Sequence, residues 1–196
     1  MSKCYQVSLS EKVSVGKSVS ASDVMVHRIE ITNILPEKDM KKLLEKELVK
    51  RGWDKQEDGT YRLEEEETSA VLVWDLEKGQ VTVSIDLEKS VEHTTIVHAN
   101  ASNEEAAKKQ LERKKQTEQD KLDHAAADLQ REMQQQVLKS LEEGEEGRRK
   151  ELNLILEKVY GEALREKAST LGNIMSIDET VDGDDYELVI RIVDGA

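Results

Sequence analysis

Four histidines, one cysteine and a surplus of carboxylates are the groups in this sequence with the chemistry to act on a substrate or hold a metal. His93 and His98 are five apart in a segment that reads as extended chain, so they point to opposite faces and share no metal. Asp120 and His124 stand one helical turn apart, but one carboxylate and one imidazole leave a coordination sphere incomplete. His27 falls on a strand face with Met25 and Ile29 and reads as a packed or edge histidine. Cys4 is the only thiol, which excludes an internal disulfide and a cysteine-rich zinc site. No Ser, Cys or Lys sits in a nucleophile elbow, and no phosphate-cradling glycine loop occurs. Asp182-Gly183-Asp184-Asp185 lacks the longer loop and closing bidentate Glu that a calcium hand needs. Glu64 to Glu67 reads as a solvated turn, or as a surface that docks on a basic partner, where charge mainly speeds and orients encounter. No catalytic residue, cofactor or metal ligand is assigned on these grounds. The competing reading is a metal-dependent enzyme whose carboxylates, Glu65 and Asp86 among them, assemble on oligomerisation.

Composition narrows the class. The chain has 196 residues, a net charge of −13, 36% charged residues and only 3% aromatics, with no Phe. So the core is small and aliphatic, and Trp53 and Trp74 read as core residues. An acidic chain is a poor binder of nucleic acid or anionic membrane, because phosphate recognition rests on Lys and Arg clusters. Without a signal peptide or an apolar run of membrane-spanning length, the expectation is a soluble, cytoplasmic protein.

The elements follow from periodicity. Alternation at Tyr5, Val7, Leu9, Val13 and Val15 predicts an opening strand or hairpin, and the Ser-rich stretch 16–23 reads as a loop. Val24 to Ile31 is a stronger strand. Pro36 opens a helix whose apolar positions are Met40, Leu43, Leu44 and Leu48, and Gly52 stops it. Asp58-Gly59 marks a hairpin, Ala70 to Leu76 a central strand, and Val81 to Leu87 a strand with one buried face. Val91 to Val97 is either an edge strand or the lead-in to a helical arm.

That arm begins at residue 102. Residues 102–143 contain no Pro, Gly or aromatic, and Ser102 with Glu105 forms a capping box. A continuous helix there is on the order of 60 Å long. Leu122, Ala126, Leu129, Met133, Val137 and Leu141 form a seam at three- and four-residue steps, the candidate partner-binding surface, which supplies barely three heptads of a coiled coil. Between Leu111 and Leu122 every residue is polar, so the proximal half is expected to be solvated. Gly144 and Gly147 predict a hinge or tip, where the arm bends back into a hairpin or continues as one helix. Leu152 to Leu164 forms a second packing helix. Ile174 to Ile177 and Tyr186 to Val193 then close the sheet.

Two stretches resemble a known family. One is the ending, with Val159-Tyr160 in a helix, Ile177-Asp178-Glu179, a turn at Asp182-Gly183, and Leu188 to Val193. The other is the first half, with HRIEI, Gly52-Trp53, Ala70-Val71-Leu72-Val73 and Val83 to Leu87. Together they are similar to a family of small α+β proteins of chloroplasts, cyanobacteria and other bacteria that has no assigned activity. Its members tend to be encoded beside AAA+ ATPases. The resemblance covers about half the chain, omits residues 1–22 and the arm, and carries over no catalytic residue. It implies an accessory or adaptor role.

The expected fold is α+β, an antiparallel sheet with two packing helices, interrupted by a long projecting helical arm or helical hairpin. Its expected parts are 1–100, the arm at 101–147, and a closing helix and hairpin at 148–196. The expected function is a non-catalytic adaptor that binds a protein partner, an AAA+ ATPase or a second copy through the arm. A self-assembling scaffold is the other non-enzymatic alternative.

Overall fold

The computed structural model describes residues 6–182 and 185–193. Strand β1 (Val7–Arg28) is followed by helix α1 (Glu37–Lys50), then by strands β2 (Asp54–Lys55), β3 (Tyr61–Glu64), β4 (Ala70–Asp75) and β5 (Gln80–Ala101). Helix α2 (Glu104–Leu171) leads to strands β6 (Asn173–Asp182) and β7 (Asp185–Val193). The fold is α+β, as expected: a five-stranded sheet in the order β1-β5-β4-β3-β2, two helices, and a separate two-stranded sheet of β6 and β7. Among the described residues no helix is long and apolar enough to cross a membrane.

The chain divides into two compact units, each made of two stretches of sequence. In the first, the described residues of Met1–Asp23 join Asp86–Lys139. Its strands form a ribbon, tied on one side by a Ser14–Thr94 hydroxyl contact at 3.0 Å and a Ser18–Glu88 hydrogen bond at 2.7 Å. The leading half of α2 lies along this ribbon. Gln110 accepts from the Asn100 amide, Lys114 donates to the His98 carbonyl, and Lys17 pairs with Asp123 at 2.8 Å. Gln134 reaches the Ser22 carbonyl. Small side chains allow the close approach: Val97, Ala99 and Leu111 make a buried cluster with Val13 beside it.

Four expectations change here. The Ser-rich stretch 16–23 is strand, because Val19 and Ala21 take buried positions that continue the two-residue alternation. Val91 to Val97 is the middle of β5 and not a lead-in. The proximal arm is solvated only in part: Ala107 and Leu111 are buried, while residues 112–121 stay exposed or half-exposed as expected. The helix cap is Asn103, whose side chain accepts from the Ala106 amide at 2.8 Å, and not Ser102.

The second unit joins Val24–Ile85 to Ser140–Ala196. Its inner sheet face carries Tyr61, Ala70, Leu72, Trp74, Val81, Val83 and Ile85, all buried. Alongside them lie buried Met40, Leu44 and Leu48 of α1 and Leu152, Ile155, Val159 and Ala163 of α2. Trp53 and Trp74 are core residues and meet edge to face at 5.9 Å. Gly79 needs its positive φ of 62°, and any Cβ there would come 2.9 Å from the Ile29 carbonyl. The last strand does not close the main sheet as expected; among the described residues β7 pairs with β6 alone.

Gly144 is neither a hinge nor a tip. The helix runs through it unbroken. A Cβ at Gly144 would fall 2.5 Å from the Arg148 guanidinium, which folds back over it, whereas a Cβ at Gly147 would meet nothing within 4 Å. The two glycines therefore predict opposite substitution effects. Gly147→Ala gains helix propensity and stabilises by about 0.5–1 kcal/mol. Gly144→Ala gains the same propensity but displaces a buried arginine, and is destabilising by about 1–2 kcal/mol net. Urea denaturation of the two single variants beside wild type measures both signs.

Candidate functional site

The surface that stands out is the outer face of the part of the main sheet that lies within the second unit. Register places Arg62 opposite Val73 and Val73 opposite Thr82. Likewise Glu64 faces Val71, and Val71 faces Ser84. On neighbouring β1, Val24 and Val26 are 55% and 52% exposed. The centre of the face is thus short, largely β-branched and uncharged, with Arg62 and Glu64 paired at its side at 2.8 Å. A sheet face turned to solvent is normally polar. Apolar patches left open in this way mark interaction surfaces.

The pattern behind it is in the sequence. Ala70 to Asp75 (AVLVWD) is apolar on both faces, and strands of that kind expect cover on both sides. Among the described residues the side that carries Ala70, Leu72 and Trp74 is covered, while Val71 and Val73 remain half-exposed.

Two arginines fix the helices of the second unit, Arg148 to the turn after β3 and Arg51 one helix to the other. Arg148 is 4% exposed; its Nε and Nη2 donate to the two carboxylate oxygens of Glu65 at 2.9 Å each. Its Nη1 donates to the Leu141 carbonyl at 3.1 Å. Thr68 also donates to Glu65. Burial by itself would push the Glu65 carboxyl up, but the Arg148 and Thr68 hydrogen bonds and the arginine's charge outweigh it and leave it below its ordinary value. Arg51 bridges Glu47 at 2.8 Å and Glu151 at 2.6 Å, which joins the end of α1 to α2. The same balance of burial against hydrogen bonds from Arg51 and Lys50 holds Glu47 low. Tyr160 accepts from the Thr32 amide at 3.0 Å and pins the segment after β1.

The residues singled out from sequence fall elsewhere. Leu122, Ala126, Met133 and Val137 are buried within the first unit, Leu129 is half-buried, and Leu141 is buried in the second. The seam is interior in this chain. In sequence it looks like an open stripe because its cover, a ribbon of serine and small residues, carries no signal of its own. Glu65 has both oxygens engaged as above, and Asp86 is an exposed residue of β5. His93 lies 3.1 Å from Glu118, and Asp120 accepts from Gln116. Among the described residues no three of His, Cys, Asp and Glu gather as a ligand set. Cys4 and Tyr5 lie outside the described residues, as do Gly183 and Asp184 of the acidic turn.

The Glu65 clasp sets a pH dependence. Its folded-state value is lowered from 4.5, so its stabilisation is fully present above about pH 4.5 and is lost as pH falls through the lowered value. Arg148→Met removes the cause. The variant is less stable by about 2 kcal/mol near neutrality, less than for a fully buried pair because the Glu65 side chain stays 26% exposed. Because burial alone raises Glu65, the gap between wild type and Arg148→Met narrows as pH drops below about 4.5. Denaturant melts of both proteins across that range test it; a constant gap would contradict the clasp.

A family model described as FtsH ternary system domain X5 matches residues 1–193. No curated protein matches the chain, and neither does any solved structure. The matched model links the chain to an AAA+ machine, as the sequence resemblance implied, and unlike that resemblance it takes in the opening strand and the arm. A match across nearly the full length settles the family: this chain belongs to the FtsH ternary system domain X5 family.

Proposed function

We propose that the chain is a non-catalytic accessory protein of an FtsH system, and that it docks on a protein component of that system through the outer face of its main sheet. The AAA+ protease itself is the first candidate partner. The observation that carries this reading is the double-sided apolar character of β4, one side of which is left half-exposed. A partner that supplies an apolar strand or helix face would bury Val24, Val26, Val71 and Val73 together, and a central apolar cluster of that kind dominates binding energy. The surrounding acidic surface adds encounter rate and orientation on a basic partner more than affinity. Engagement of Glu65 by Arg148 weighs against the carboxylate-enzyme alternative, since a carboxylate held low and fully hydrogen-bonded is a poor general acid.

The test is direct binding of purified chain to purified FtsH and to the other components of its system. Val24→Lys with Val26→Lys is expected to weaken the interaction at least about tenfold, with stability changed by less than about 0.5 kcal/mol because both positions are exposed. If the doubly substituted chain bound as tightly as wild type, the docking face would be wrong. If wild type bound no component at all, the accessory role itself would fall.

A further inference from the structure

The second sheet is a bare two-stranded ribbon. Among the described residues no strand pairs with the outer edge of β6 or of β7. A free strand edge is a template for another strand, and a lone two-stranded sheet is marginal without further strands or a helix beneath it. Here the support is at one end only. Glu179 of β6 takes Lys158 at 3.1 Å and Arg165 at 2.7 Å, and Tyr186 of β7 seats over Gly161, where a Cβ would come within 2.8 Å of its hydroxyl. Toward the other end Met175 is 74% exposed, and Ile174, Ile177, Ile192 and Val193 are exposed as well.

The two edges differ. β6 has a register irregularity between Ile174 and Ser176, and its only charged side chains are acidic, so two copies of it would set like charges together. β7 is regular and carries Glu187 and Arg191 two residues either side of Val189. Antiparallel pairing of two β7 strands about Val189 sets Val189 against itself and Leu188 against Ile190. It also sets Glu187 of each copy against Arg191 of the other. Both charges are exposed, and the Asp178 pair that Arg191 makes within the chain is a solvated one at 3.3 Å.

We infer that a second copy of this chain pairs edge to edge along β7, giving a symmetric dimer with a continuous four-stranded sheet and two Glu187–Arg191 cross-strand pairs. The contact is self-complementary, as a two-fold interface requires, and backbone pairing supplies affinity while the charges set register. It involves neither the arm seam nor the docking face of the main sheet, so its failure leaves the accessory reading standing.

Light scattering and sedimentation of the full chain test it through charge reversal. Wild type is expected to dimerise, and Glu187→Arg or Arg191→Glu alone to raise the dimer dissociation constant about tenfold. The double reversal, which restores opposite charges across the axis, is expected to bring dimerisation back. In a Cys4→Ser background, Val189→Cys is expected to form a covalent dimer on oxidation, because facing residues of a pair lie within disulfide reach, and Met175→Cys is not. A wild type that stays monomeric up to roughly 100 μM overturns the inference. So does a dimer that ignores the single reversals, or one that the double reversal fails to restore. In those cases the edge serves another protein's strand or none.

Discussion

One guanidinium organises the second unit. Arg148 lies back over a glycine on its own helix and grips a carboxylate 83 residues earlier in the chain. Removing an arginine from water is unfavourable unless its donors are satisfied and its charge is met, and here Glu65 and the Leu141 carbonyl do both. That demand explains three things together: a glycine in mid-helix, a low carboxyl at the β3–β4 turn, and one fixed placement of the helix across the inner sheet face. Arg51, spanning Glu47 and Glu151, joins the end of α1 to the same helix.

The sheet's outer face is the functional argument. A β4 that is apolar on both sides is suited to the middle of a three-layer arrangement, and the second unit supplies two of the three layers. The family match links the chain to an FtsH-associated system, and the proposed partner would supply the third layer. Surface chemistry and family thus bear on the same role from different directions.

The legible parts of the fold are those ruled by local periodicity and turns. Helix α1, the Asp58-Gly59 turn and the Trp core all fall where spacing and glycine place them. The parts that depart from the sequence pattern share a cause, in that a distant partner overrides a local signal. Serines in 16–23 favour loops in isolation, yet pairing with β5 makes them strand. Leu111 looks lonely among charges because Val97 and Ala99, which bury it, are small and lie on another element. Gly144 looks like a breaker because only the folded chain shows the side chain above it. The candidate docking face is half legible: the apolar run is visible, but which of its sides the chain itself covers depends on long-range packing.

The interleaving of the two units has a consequence for synthesis. Each is made of an early and a late stretch, so neither is a continuous segment that a ribosome could finish first. Ser14 waits for Thr94, 80 residues on, and Glu65 waits for Arg148, 83 residues on. Closing such loops early gains nothing, because the entropy of ordering them is lost before the contacts that reward it exist. While the chain emerges, β1 and the valine rows of the main sheet stand exposed together, and these are the segments most prone to pair with a stranger. A nascent chain of this design needs either rapid completion or a shielding companion, and its most vulnerable moment comes just before the second half of α2 is released.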